Sequence, residues 1–369
     1  MSVTITRPAR RRPVFHPLTV ASLDRLTEDS LAIAFAVPPG LRDAFAFQAG
    51  QHLTVRRVEP DTGEDVRRSY SICSTPAELA ATGLLRIGVK EIPGGAFSAY
   101  AARALHAGDT VDVLPPLGTF STAFDPARTR RYAAIVAGSG VTPVLSLAAT
   151  ALATELASRF TILYGNRYAR SVMFAEELAD LKDRYPARLQ VVHVLSREPQ
   201  DAELLSGRLD AHRLRRLLDR VMPADDVDEW FLCGPFGLVE AAREVLAERG
   251  VPAPAVHFEL FHASATPPPP PPTAEQVGDC DVTILLDGRV SRFAMGRHGR
   301  VLDEALKVRP ELPYACRGGV CSTCRAKVIS GEVTMASNYA LEPVDVAAGY
   351  VLTCQSSPVT DKLEIDYDA

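Results

Sequence analysis

Apolar and polar positions alternate in short runs through the first third of the chain. Leu18–Ser22, Leu31–Val37, His52–Arg56 and Leu84–Lys90 are β-rich segments; in Leu31-Ala-Ile-Ala-Phe-Ala-Val, large and small side chains take turns. A two-residue period places alternate side chains on opposite faces of a strand. Turn signals at Pro38-Pro39-Gly40, Thr62-Gly63 and Gly108-Asp109 separate these runs. Short strands with frequent turns predict an antiparallel β-barrel domain over residues 13–127.

The pattern changes near Arg128. Arg131–Ala137 is an apolar run, as expected of a strand buried on both faces, and Phe160–Tyr164, Leu189–Leu195 and Glu229–Cys233 also read as strands. Helical stretches lie between them: one running to Ala157, Val172–Lys182, Ala211–Leu218 and, at the end, Leu238–Glu248. Alternating strands and helices predict an α/β domain with a parallel sheet over 128–262, closed by Val256–Phe261. A third pattern begins at 278. Asp281–Leu286 and Val290–Phe293 flank Asp287-Gly288, a hairpin signal. Val301–Val308 follows as a helix, and Arg325–Ile329 and Leu363–Tyr367 as strands. The fold class expected is therefore multidomain.

Composition sharpens this division. Pro267 to Pro272 are consecutive prolines, and a stiff polyproline II spacer is expected over 263–277 rather than a docking ligand. A net charge of −5 over 369 residues carries no nucleic-acid signature. Tyr132–Thr154 is free of charge, but its glycines, proline and threonines favour a buried strand and helix over a membrane span. Arg7, Arg10, Arg11 and Arg12 lead into no apolar stretch, so no signal peptide is expected. An odd count of seven cysteines fits free thiols in a reducing cytoplasm, with no membrane association.

The cysteines carry the strongest chemical signal. Cys316, Cys321 and Cys324 stand at C-x4-C-x2-C spacing, and Cys354 follows. That is the plant-type spacing for a [2Fe–2S] cluster, in which each iron takes two thiolates. Gly318 and Gly319 allow the loop to bend and present N–H groups to anionic sulfur. Structural zinc is the competing reading, yet only Cys321 and Cys324 form a knuckle pair. Cys73 and Cys280 fall outside the motif. Arg317, Arg325 and Lys327 are expected to make the surroundings basic.

A one-electron centre needs an electron supply. Arg68-Ser69-Tyr70-Ser71 lies in the first segment, followed by Gly94-Gly95-Ala96-Phe97-Ser98 and a helical stretch from Ala99. A glycine turn feeding a helix N-terminus can bind phosphate, though Ser98 equally reads as an ordinary N-cap. In the second segment the strand ending at Ala137 runs into Gly138-Ser139-Gly140-Val141-Thr142-Pro143 and then a helix, the context of a phosphate cradle. Cys233-Gly234-Pro235 ends a later strand, facing the crevice where ligands bind in such sheets. Arg167 and Arg197 also follow strands, as solvated loop charges or as clasps for a 2′-phosphate.

Together these motifs resemble the ferredoxin–NADP reductase superfamily joined to a plant-type ferredoxin of β-grasp fold. The resemblance implies that Arg68 neutralises a flavin pyrophosphate, Tyr70 stacks on the isoalloxazine, and Ser71 bonds flavin N5. It implies that Gly95, Phe97 and Ser98 close on the flavin phosphates. Gly138, Gly140, Thr142, Pro143, Gly234 and Pro235 would then hold the nicotinamide nucleotide, with Cys233 beside the nicotinamide. Glu259 and Phe261 would lie near the flavin. The cofactors implied are FAD in preference to FMN, a [2Fe–2S] cluster, and NADPH in preference to NADH.

The order flavin, nicotinamide, ferredoxin narrows the resemblance, as do His16–Val20, Tyr164–Arg167, Asn338–Pro343 and Ala347–Tyr350. The chain is similar to the reductases that serve bacterial phenylacetyl-CoA epoxidases. The expected partner is the oxygenase component of a multicomponent complex, a di-iron oxygenase. Service to a ring-hydroxylating or demethylating oxygenase is the nearer alternative, and a zinc-binding interaction module the farther one.

Overall fold

The computed structural model describes residues 14–261 and 279–369; the polyproline run falls outside them. The chain divides into two compact units, Phe15–His262 and a second that contains residues 279–369.

The first unit opens with β1 (His16–Thr27), β2 (Ser30–Ala36), β3 (His52–Val58), β4 (Asp65–Ser71), β5 (Leu84–Lys90) and β6 (Thr110–Val113), in sheet order β4-β3-β6-β1-β2-β5. Neighbouring strands run antiparallel. The two edges meet where Ile72 bridges Ile87 and the Cys73 N–H donates to the Arg86 carbonyl at 2.9 Å, which closes the barrel. Alternation holds as expected: Leu31, Ile33 and Phe35 of β2 face the core with Leu85, Ile87 and Val89 of β5. Two helices serve the barrel. The first, α1 (Pro76–Thr82), is too short for periodicity to mark it. It starts on a capping box, in which the Glu78 N–H donates to Thr75 Oγ1 at 3.1 Å and the Thr75 N–H to Glu78 Oε2 at 2.6 Å. The second, α2 (Ala96–Arg103), begins three residues earlier than expected, on Gly95.

The same unit continues into a five-stranded parallel sheet. Its strands are β7 (Arg131–Ala137), β8 (Arg159–Asn166), β9 (Leu189–Leu195), β10 (Glu229–Gly234) and β11 (Val256–Leu260), ordered β11-β10-β7-β8-β9. Its helices are α3 (Val141–Thr154), α4 (Ala175–Arg184), α5 (Ala211–Arg220) and α6 (Phe236–Glu248). The order reverses between β7 and β10, so the carboxyl ends of these two strands flank a topological switch point. Two helix ends differ from expectation for local reasons. Glu155 leaves the helical region, and its buried carboxylate accepts from Tyr132 Oη, Ser158 Oγ and the Asp125 N–H; α3 therefore stops at Thr154. Phe174 is left-handed with φ 57°, so α4 starts at Ala175 rather than Val172.

The second unit holds β12 (Asp279–Leu286), β13 (Arg289–Gly296), α7 (Val301–Val308), β14 (Arg325–Ser330), β15 (Val333–Met335), α8 (Pro343–Ala347), β16 (Tyr350–Leu352), β17 (Ser356–Pro358) and β18 (Lys362–Asp366). Its main sheet runs β13-β12-β18-β14-β16, with β12 and β18 parallel at the centre. The β12–β13 hairpin turns on Asp287 and Gly288, with φ 53° and 69°. Two successive positive φ values are what a two-residue hairpin turn requires. The sheet and α7 enclose a core of Ile284, Leu302, Leu352 and Ile365, with Cys280 buried in it.

Candidate active site and cluster loop

In β4, Arg68 and Tyr70 share one face by the strand's two-residue period. Arg68 is exposed and donates to the Arg67 carbonyl at 2.8 Å, whereas Arg67 itself is buried and ion-paired with Asp65 at 2.8 Å. The Tyr70 ring meets Phe97 of α2 at 5.6 Å, and burial pushes its hydroxyl pKa upward. Gly95 caps α2. Ser98 is buried, and its hydroxyl accepts from the Ile92 N–H at 3.2 Å, closing the turn from within. A Cβ on Gly95 would lie 2.5 Å from that hydroxyl and 3.0 Å from the Ile92 carbonyl oxygen, so a side chain there would displace the Ser98 hydroxyl that closes the turn.

The end of β4 meets the α/β half. Ser71 Oγ donates to Glu259 Oε2 at 3.0 Å. The other carboxylate oxygen lies 3.5 Å from His52 Nδ1. His52 faces Ser71 across the β3–β4 ladder and is buried; its Nε2 has no partner among the described residues. Glu259 is the register partner of Cys233 in the β10–β11 pair. Cys233 is fully buried, and desolvation, then the Glu259 carboxylate, pushes its thiol pKa well up. Four side chains, Ser71, His52, Glu259 and Cys233, therefore converge where the barrel meets the end of the parallel sheet. Three of them were legible in the sequence; His52 was not, since nothing local marks it and only the register sets it opposite Ser71. Phe261 packs beside the α/β core, half-buried.

The turn after β7 is fastened on three sides. Gly138 is left-handed with φ 56°, and its carbonyl accepts from Tyr164 Oη at 2.9 Å. A Cβ on Gly140 would lie 2.2 Å from the Cys233 carbonyl oxygen, so only glycine fits between β7 and β10. Thr142 Oγ1 donates to the Ser139 carbonyl at 2.7 Å, and Pro143 sits in the first turn of α3, where a missing N–H costs little. Gly234 and Pro235 lead into α6 across the switch point. The turn is thus a backbone cradle at a helix N-terminus, the arrangement that suits a phosphate. Arg167 and Arg197 are both exposed; the Arg197 N–H donates to the Arg167 carbonyl at 2.9 Å, so the two strand-end loops are tied together.

In the second unit the cysteine loop winds through left-handed residues Arg317, Gly319 and Ser322. This winding brings the thiols together in two pairs, Cys316 with Cys321 and Cys324 with Cys354. The hydrogen bond from its partner lowers the thiol pKa of Cys316 and likewise that of Cys354, while those of Cys321 and Cys324 are pushed up. Among the described residues, no group of three His, Cys, Asp or Glu side chains meets around one ion. Polar hydrogens point at the sulfurs: the Gly318 N–H to Cys316 Sγ at 3.3 Å, the Cys316 N–H to Cys321 Sγ at 3.5 Å, and Gln355 Nε2 to Cys354 Sγ at 3.7 Å. A pairwise thiol set with inward N–H donors fits a two-iron, two-sulfide cluster, which needs two thiolates per iron and donors for anionic sulfur. The basic surroundings are largely compensated: Arg317 lies 3.6 Å from Asp303, and Arg325 3.1 Å from Asp345.

These three sites define an oxidoreductase with a flavin barrel, a nicotinamide sheet and an iron–sulfur loop. Comparison with known proteins agrees segment by segment. Residues 17–122 match the family of oxidoreductase FAD-binding domains, 134–244 that of oxidoreductase NAD-binding domains, and 284–359 that of 2Fe-2S iron-sulfur cluster binding domains. The chain is 42% identical over 358 residues to a component of the 1,2-phenylacetyl-CoA epoxidase of Escherichia coli, covering 96% of this chain and 98% of that one. It is 35% identical to the ferredoxin reductase component of 3-ketosteroid-9-alpha-monooxygenase from Rhodococcus rhodochrous, over 99% of both chains. Among solved structures, phthalate dioxygenase reductase shares the fold, with a TM-score of 0.55 at 23% identity over 95% of this chain and 98% of that one. The chain belongs to the family of NAD(P)H-dependent flavin and [2Fe–2S] reductases that form the electron-transfer components of oxygenases. No helix among the described residues is long and apolar enough to cross a membrane.

Proposed function

We propose that this chain is the reductase component of a phenylacetyl-CoA epoxidase, taking electrons from NADPH and delivering them to that di-iron oxygenase in the cytoplasm. The reading is supported above all by the 42% identity that runs almost end to end with the Escherichia coli epoxidase component. It carries with it the division into 13–127 for flavin, 128–262 for nicotinamide, 263–277 as spacer and 278–369 for the cluster.

When bound, the flavin accepts a hydride and gives up electrons singly, and the cluster carries one electron at a time. The protein's part is positioning and electrostatics. Arg68 would offset the flavin pyrophosphate and Tyr70 would lie against the isoalloxazine, with Gly95, Phe97 and Ser98 shaping the phosphate turn. Ser71 would present its hydroxyl to flavin N5, with Glu259 holding that hydroxyl in orientation and His52 holding Glu259. The Gly138–Pro143 turn and Gly234-Pro235 would cradle the nucleotide, with Cys233 beside the nicotinamide and Phe261 near the flavin. Arg167 and Arg197 would recognise a 2′-phosphate. Cys316 and Cys321 would bind one iron, and Cys324 and Cys354 the other.

The test is reconstitution. Purified chain, NADPH and the oxygenase component of a phenylacetyl-CoA epoxidase should epoxidise phenylacetyl-CoA. Cytochrome c reduction without epoxidation would leave the reductase and remove this partner.

A further inference from the structure

The barrel carries a seat of small residues on its outer face. In the β2–β5 pair Ala32 stands opposite Gly88. Their neighbours Leu31, Ile33, Ile87 and Val89 face the barrel core, so Ala32 and Gly88 face out, and Ala32 belongs to the same buried cluster as Val141, Val144 and Phe174 of the α/β half. Gly88 lacks a positive φ, so its backbone does not call for glycine, and glycine inside a strand weakens it. Its use lies in closeness of approach. A Cβ there would lie 2.8 Å from Thr142 Oγ1, 2.9 Å from Thr142 Cγ2 and 3.0 Å from Phe174 Cζ. Apolar atoms pack best at about 3.5–4.0 Å, so with a larger residue there the Thr142 and Phe174 side chains, or the halves that carry them, must give way by a fraction of an ångström or more.

The atoms it would strike are held firmly. Thr142 is bonded within the nucleotide turn to the Ser139 carbonyl, and Phe174 is buried in a left-handed conformation. The seam is fastened on both sides of Gly88. One helical turn beyond Thr142, Ser146 Oγ donates to the Ser74 carbonyl at 2.7 Å. Two residues before Gly88, Arg86 Nη2 pairs with Glu177 Oε1 of α4 at 3.4 Å.

We propose that Gly88 is a positioning residue for hydride transfer: its missing side chain sets how closely the Gly138–Pro143 turn, and any nicotinamide bound there, approaches the flavin side of the barrel. The step is the loss of a hydride from the nicotinamide, which is oxidised, to the flavin, which is reduced. The inference rests on the reading that the barrel holds the flavin and the turn holds the nucleotide.

The experiment is anaerobic stopped-flow bleaching of the flavin by NADPH in the full-length holoprotein. Gly88→Ala should keep flavin content and the half-saturating NADPH concentration within about twofold of wild type, while the bleaching rate at saturation falls about tenfold or more, since catalytic geometry is sensitive at the ångström scale. In a Thr142→Ala background, which removes the two nearest obstructing atoms, adding Gly88→Ala should lower that rate by less than about threefold. An unchanged rate in Gly88→Ala, or the same fold loss in both backgrounds, overturns the proposal. So does flavin loss in both backgrounds, which would make Gly88 a packing residue of the barrel. Wild-type protein that NADPH does not bleach would instead overturn the functional reading beneath it.

Discussion

Ser71 and Glu259, 188 positions apart in the chain, share a hydrogen bond of 3.0 Å. One ends the flavin-side strand β4 and the other lies in the closing strand β11, so the bond joins barrel to parallel sheet at their chemical ends. Because Ser71 donates to Glu259, the carboxylate fixes where the hydroxyl oxygen points its lone pairs. Ser71→Ala should lower NADPH-driven flavin reduction by about tenfold to a hundredfold with little change in flavin content. Glu259→Gln, which can still bond the hydroxyl, should cost less than Glu259→Ala; stopped-flow rates for the three variants check this order.

The cluster loop predicts a division of labour. Cys321→Ser removes one thiolate from the Cys316 pair. Reduction of cytochrome c through the cluster should be lost, while the bleaching of the flavin by NADPH persists at close to the wild-type rate. Equal loss of both activities would contradict separate roles for the two units.

Arg68 stands exposed on β4 while Arg67 is buried against Asp65. Arg68→Ala should therefore weaken flavin retention by about 1.5–3 kcal/mol, the worth of a charge-assisted bond. Arg67→Ala should act mainly on thermal stability. Flavin-to-protein ratios after gel filtration, read beside melting curves, distinguish the two.

Arg197 and Arg167 sit on loops tied backbone to backbone. Arg197→Ala should raise KM for NADPH by about tenfold or more and leave KM for NADH within about twofold, because only NADPH carries the 2′-phosphate. Equal shifts for both nucleotides would remove the basis for NADPH preference.

Much of this was legible in the residues because the physics was local. Leu31-Ala-Ile-Ala-Phe-Ala reads as a strand since one face must be buried and the other small. The Gly138-Ser139-Gly140 turn reads as a cradle since its glycines are required by a positive φ and by the Cys233 carbonyl. What escaped depended on partners distant in the chain or on brief local chemistry. The α1 helix rests on one capping box, and the start of α4 on one left-handed phenylalanine. His52 gains meaning only from strand register, and the charge of Arg317 is answered by Asp303 on the helix before it. The outward face of Gly88 was visible in the alternation of β5, but its nearness to Thr142 was not.

Passage of electrons from nucleotide to flavin to cluster within one chain is best tested by anaerobic titration of the purified, iron-loaded flavoprotein with NADPH, followed by visible absorption and electron paramagnetic resonance. Loss of the oxidised-flavin band is expected, together with the signal of a reduced [2Fe–2S] cluster. Protein carrying full iron and flavin that NADPH leaves oxidised, or bleached flavin beside a cluster that never receives an electron, would contradict it.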